Sequence, residues 1–152
     1  MPPAPKLLRA RIGSPVGELT LLAEGPRLVA LAFEGYGEMA LSRLARGRGE
    51  TEAEAAVEVE EVPDPAGTAS ALASYFAGNL GALRAVEVDP AGTPFQKRVW
   101  AALRRIRPGT TVSYADLALK IGQPAACRAV AQACGKNPVS YTHLTLPTIL
   151  RV

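Results

Sequence analysis

Residues 112–134 read VSYADLALKIGQPAACRAVAQAC, and this stretch decides the fold of the second half of the chain. Ser113-Tyr114-Ala115-Asp116 has the form of a capping box, in which the serine oxygen accepts from the third amide and the acid reaches back. Val112 and Leu117 flank it as a hydrophobic staple, while Leu117, Ala118 and Ile121 supply one apolar side. Gly122 suits the left-handed position after a helix, and Pro124 restarts one, so two helices joined by a short turn are predicted, a helix-turn-helix. The second helix, Ala125 to Cys134, is nearly all small residues. Its buried bulk falls to Val130, with Ala126 and Ala133 or Cys134 beside it, and Arg128 and Gln132, four apart, share the opposite face.

Upstream, Thr93 can cap a helix with Pro94 in its first position. Phe95, Val99, Ala102, Leu103 and Ile106 recur at helical spacing, and the lone Trp100 reads as core. Lys97, Arg98, Arg104 and Arg105 fall off that stripe, and Arg107-Pro108-Gly109 ends the helix.

The first part of the chain reads differently. Leu7 to Ile12, Leu19 to Ala23 and Leu28 to Phe33 are strand-like and separated by turn compositions, predicting an antiparallel meander. Residues 36–48 follow a helical pattern, and the acidic run Glu50 to Glu61 reads as a solvated surface connection. A helix carrying Leu72, Tyr75 and Phe76 ends near Gly78-Asn79, and Val86 and Val88 suggest a last short strand. Asp89 to Pro94 is the best linker, which gives units at 1–88 and 89–139, with 140–152 set apart.

The 152 residues are 48% apolar and 20% charged, an ordinary globular balance. No run approaches the ~20 apolar residues of a membrane span, and the start lacks a signal-peptide core, so a cytoplasmic protein is expected. Two cysteines, Cys127 and Cys134, support neither a disulfide framework nor a zinc site. The net charge of +3 hides an asymmetry: residues 1–90 hold 8 basic and 13 acidic residues, and residues 91–152 hold 9 basic residues and one acid, Asp116. A segment that basic attracts polyanions, because lysine and arginine displace the counterions condensed on nucleic acid. Any single surface arginine is most often simply solvated, but Arg128 stands in a basic helix-turn-helix, which favours DNA contact.

Five motifs then line up: Gly92-Thr93-Pro94-Phe95-Gln96-Lys97-Arg98-Val99-Trp100, Ile106-Arg107-Pro108-Gly109, Val112-Ser113-Tyr114, Cys127-Arg128-Ala129-Val130 and Asn137-Pro138. Over about residues 92–139 the chain resembles the O6-alkylguanine-DNA alkyltransferases, also called methylated-DNA–protein-cysteine methyltransferases. Ser14-Pro15-Val16-Gly17, between the first strands, is similar to part of that family's ribonuclease-H-like N-terminal domain. The resemblance implies an α/β chain in two lobes: a small ribonuclease-H-like antiparallel N-terminal domain, then a helical, winged-helix-like domain with a helix-turn-helix.

It also implies a monomeric repair protein, without metal or cofactor, that acts on double-stranded DNA containing O6-alkylguanine. Such a protein enters the minor groove, rotates the damaged base out of the stack and takes the alkyl group onto its own cysteine; rotation is needed because O6 is inaccessible inside the duplex. By the same resemblance Tyr114 crowds the phosphate beside the target nucleotide and lines its pocket, and Arg128 fills the gap in the stack. Ser113 helps to hold DNA, Gln96 and Gln123 lie near the strand, and Asn137 braces the turn leading to the pocket.

The family's acceptor lies in a Pro-Cys-His-Arg motif shortly after Asn-Pro. Here Val139 is followed by Ser140-Tyr141-Thr142-His143-Leu144-Thr145-Leu146-Pro147-Thr148, without a cysteine. A thiolate is a far better acceptor than the alcohol of Thr145 or Thr148, and Cys127 and Cys134 stand where the family has small non-catalytic residues. No catalytic residue is therefore assigned, and this chain is expected not to alkylate itself. The tail resembles a translated sequencing adapter, which suggests a family reading frame joined to foreign sequence near Val139. Two other readings stay open: an alkyltransferase-like lesion-binding protein without the cysteine, and a helix-turn-helix regulator with a ligand-sensing N-terminal lobe. Against the regulator stand Tyr114, Arg128 and the alanine-rich helix, since a major-groove reader offers several polar side chains to base edges.

Overall fold

The computed structural model describes residues 6–47, 57–107 and 109–139. The chain divides into two compact units, Met1–Ala91 and Gly92–Val152. Ser140 to Val152, including His143, and Pro108 of the predicted helix stop lie outside the described residues.

The first unit is built on strands β1 (Leu7–Ile12), β2 (Leu19–Glu24) and β3 (Arg27–Phe33), paired antiparallel in sequence order as the turn compositions predict. Leu19, Leu21, Leu22 and Ala23 are all buried on β2, so the strand is covered on both faces. Helix α1 (Gly37–Gly47) packs on β2 and β3, and a single 3-10 turn at Pro65–Gly67 reaches β1, β2 and β3. Leu7, Leu22, Val29, Ala30 and Leu44 form one core cluster.

Two expectations are corrected here. The acidic run is not wholly a solvated connection: its end forms β4 (Val59–Glu61), which pairs parallel with β1 and makes the sheet mixed, in the order β3-β2-β1-β4. Charge explains the pairing, since Lys6 meets Glu60 at 2.8 Å and Arg9 pairs with Glu61, while Val57 and Val59 pack on the core cluster. The predicted last strand at Val86 and Val88 shrinks to one bridge between Leu28 and Val88, because Ala82–Ala85 winds into a 3-10 turn just before it. Between these elements lies α2 (Thr68–Phe76), whose start is held by Asp64: its Oδ1 accepts from the Ala69 amide at 2.7 Å. Leu72 and Tyr75 face inward from α2, as their spacing predicts.

The second unit is helical: α3 (Pro94–Arg104), α4 (Tyr114–Lys120) and α5 (Cys127–Gly135), each packing on the other two. Val99, Trp100, Leu103, Ile106, Leu117, Ala118, Val130, Ala133 and Cys134 form its core. Leu117 and Val130 are fully buried within it, as the apolar stripes predict. No helix among the described residues is long and apolar enough to cross a membrane.

Candidate nucleic-acid interface

Helix α3 is anchored at its start by its own side chains. Thr93 Oγ1 accepts from the Gln96 amide at 3.1 Å, and Gln96 Oε1 accepts from the Thr93 amide at 3.0 Å. This reciprocal capping box is one the sequence reading placed at Ser113 and Asp116 instead. Gln96, placed near the DNA strand by resemblance, thus has its side-chain oxygen engaged in the helix start.

At the middle of α3, Trp100 is 5% exposed and its Nε1 donates to the Ala133 carbonyl at 2.7 Å, tying α3 to α5. Gly92 lies against the same indole: a Cβ there would sit 2.5 Å from Cη2, so this position admits no side chain without a shift. The Gly-Thr-Pro-Phe start is therefore a packing motif as well as a cap.

Ser113 caps α4, its Oγ accepting from the Asp116 amide at 3.0 Å, which is half of the predicted box. The hydroxyl hydrogen of a capping serine is still available to donate. Tyr114, the first residue of α4, is half-buried and packs on the core cluster beside Val112. Gly122 adopts φ +78°, the left-handed conformation predicted for it.

The second helix of the helix-turn-helix begins later than Ala125. The Ala126 amide donates to the Gln123 carbonyl at 3.0 Å, closing a turn over Gln123 to Ala126, and α5 starts at Cys127. Gln123 is exposed in this turn. The late start puts Arg128 second in α5, at a helix end that carries no side-chain cap. Unpaired amides and the helix dipole make such an end favourable for an anion. Arg128 and Gln132 are both exposed, on the face opposite buried Val130, and Ala125 and Ala129 beside them are exposed and small. Arg128 has no ion pair among the described residues.

After α5, Asn137 is 9% exposed, and its Oδ1 accepts from the Val139 amide at 3.0 Å. The side chain thereby fixes the chain direction out of the helix, a geometry consistent with a bracing residue. The two thiols differ. Cys127 is half-buried, whereas Cys134 is buried and its pKa is pushed up to about 11 by desolvation. At pH 8 Cys134 holds roughly a hundredfold less thiolate than a free cysteine, so an aromatic disulfide reagent is expected to modify Cys127 first, with Cys134 reacting only on unfolding. Equal rates for both thiols in the folded protein would contradict this packing.

The fold agrees with that of known proteins. The 6-O-methylguanine DNA methyltransferase ribonuclease-like domain matches residues 7–90, and the DNA binding domain of the same family matches residues 94–147. The chain belongs to the 6-O-methylguanine DNA methyltransferase family. Within this DNA repair family it is 38% identical over 139 residues to the methylated-DNA–protein-cysteine methyltransferase of Salmonella typhimurium, covering 89% of this chain and 77% of the relative. The solved O6-methylguanine methyltransferase of Mycobacterium tuberculosis superposes with a TM-score of 0.68 at 32% identity, covering 94% of this chain and 78% of that one. The Mycobacterium tuberculosis protein in complex with DNA superposes at 0.65 with 32% identity, over 95% of this chain and 79% of the other.

The resemblance read from the sequence is thus the family, and the two-part α/β architecture is the family's fold. The sequence reading missed how Arg98 of α3 and Arg105 just after it share one cleft with Lys120 of α4. The basic side of α3 was legible, but Lys120 joins it only through the packing of α3 on α4.

Proposed function

We propose that the second unit recognises O6-alkylguanine in duplex DNA by drawing the damaged base out of the stack. Arg128 occupies the gap, and Tyr114 turns the neighbouring phosphate and lines the pocket. The observation that carries this reading is the setting of Arg128: exposed, without an ion pair among the described residues, and second in an uncapped helix whose neighbouring side chains are small. An arginine so placed can reach between base steps while its helix backbone approaches the groove closely. Ser113 and Gln123 support the same contact, the first through its hydroxyl hydrogen and the second from the exposed turn before α5. Gln96 contributes through its amide nitrogen, its oxygen being committed to the Thr93 amide.

Alkyl transfer from O6 to sulfur needs a thiolate within reach of the extruded base. The 152-residue sequence offers only Cys127 and Cys134, the latter buried with a raised pKa. This chain accordingly recognises the lesion without taking up the alkyl group. The test joins two measurements on the purified chain: fluorescence anisotropy with duplexes that do or do not contain one O6-methylguanine, and intact-protein mass after incubation with the modified duplex. Tighter binding to the modified duplex without a methyl adduct is the expected result. Equal affinity for both duplexes would overturn lesion recognition, and an added methyl group would show an acceptor thiol, to be placed by peptide mass.

A further inference from the structure

The second unit has another basic feature away from α5. A cleft of about 480 Å3 opens between α3 and α4, lined by Arg98, Ala101, Ala102, Arg105 and Ile106 with Lys120 and Ile121. Its floor is apolar, its polar wall is entirely cationic, and no residue of α5 contributes to it. Arg98, Arg105 and Lys120 are exposed, and none of the three has an ion pair among the described residues. Asp116, the one acid after residue 91, is not within ion-pair distance of Lys120 although it precedes it by one helical turn.

Helix dipoles account for part of this, since cations are favoured near helix C-termini, where Arg105 and Lys120 stand. They do not account for Arg98, in the first half of α3, nor for the convergence of all three on one concavity. Like charges gathered without an acid repel one another until an anion neutralises them. Guanidinium forks match phosphate oxygens in pairs, and an ammonium adds a point charge.

We propose that the α3–α4 cleft is a second phosphate-backbone site, which holds a stretch of phosphodiester chain not engaged by α5. The inference rests on the reading of this unit as a duplex-binding unit and enlarges its electrostatic footprint. Arg98 on α3 and Arg105, the residue that ends it, hold phosphates of the same chain, and Lys120 closes the opposite wall. Each cation that meets a phosphate there displaces a counterion condensed on the DNA.

The test compares the wild-type chain with a triple variant, Arg98→Gln, Arg105→Gln and Lys120→Gln, and with Arg128→Ala. Binding to an unmodified duplex of about 30 base pairs is followed across salt concentration, where each lost cation–phosphate contact lowers the slope of log affinity against log salt by about 0.9. The triple variant is expected to lose about 2 to 3 from that slope, with its preference for an O6-methylguanine duplex unchanged, and Arg128→Ala to do the reverse. Because all three side chains are exposed, thermal melting of the triple variant should match the wild type.

Repeating the series on a duplex of about 12 base pairs, which shortens the flank available beyond α5, locates the phosphates. A loss confined to the longer duplex places the flank of the same DNA in the cleft. A loss of ternary complex with a second labelled oligonucleotide places another strand there. An unchanged slope in the triple variant overturns the cleft proposal and leaves lesion recognition standing. A reduced slope with no lesion preference in the wild type leaves the cleft standing and overturns lesion recognition. Failure of the wild type to bind any duplex at low salt overturns both.

Discussion

Trp100→Ala is expected to destabilise residues 92–139 by about 3–5 kcal/mol, the largest effect of any single side-chain truncation in this unit. The indole is the chain's one tryptophan, is 5% exposed, and sits among Val99, Leu103, Val130 and Ala133 in the core that joins all three helices. Truncation removes that contact area and leaves a cavity that Gly92, with no side chain, cannot fill. It also strips the Ala133 carbonyl of its 2.7 Å bond from Nε1, although the Lys136 amide still donates to that oxygen at 3.2 Å. Trp100→Phe separates the two contributions, because it keeps a ring and loses the donor, and should cost about 1–2 kcal/mol plus a smaller cavity term. Urea denaturation followed by helix circular dichroism makes the measurement, since the variants lack tryptophan fluorescence. A loss under about 1 kcal/mol for Trp100→Ala would show that the indole does not hold α3 to α5.

Arg128→Ala is expected to leave stability within about 0.5 kcal/mol and to reduce binding to an O6-methylguanine duplex by about 10- to 100-fold. The side chain is exposed and contributes to no ion pair among the described residues, and alanine suits the helix better, so no folding penalty arises. The gap left by an extruded base exists only in a duplex, so binding to the same strand without its complement should fall far less. Arg128→Lys sharpens the point: it keeps the charge but not the planar group that stacks between bases. Its salt dependence should match the wild type while its lesion preference falls. Equal losses by Arg128→Ala on duplex and single strand would remove the stacking role and leave only a phosphate contact.

Much of the second unit was legible because its signals are local. Thr93 before Pro94, Ser113 three residues before Asp116, and Gly122 at φ +78° each act within one helical turn, and the structure has them at those positions. The start of α5 was misplaced by two residues because Pro124 can open a helix or sit in a turn, and here the Ala126 amide closes on Gln123. What escaped the reading depends on distant partners. β4 forms because Lys6 and Arg9, some fifty residues away, meet its glutamates, and nothing in the acidic run itself announces that. The meeting of Lys120 with Arg98 and Arg105 likewise depends on packing, here of α3 on α4, whereas Gln96 stands three residues after Thr93 and that spacing is itself a capping-box signal. Arg128 and Asn137, by contrast, are singled out by the motifs alone, and the structure sets the first exposed and the second buried at the exit from α5.

The short parallel strand β4 also bears on how the chain behaves at high concentration. A sheet ends in rows of unmatched amides and carbonyls that can recruit another chain, and proteins blunt such margins with short, charged strands. β4 is three residues long and carries Glu60 and Glu61, and the opposite margin, β3, is partly capped by Val88 through its bridge to Leu28. The end of the acidic run, as β4, thus guards a meander rich in leucine, valine and alanine against sticking to copies of itself.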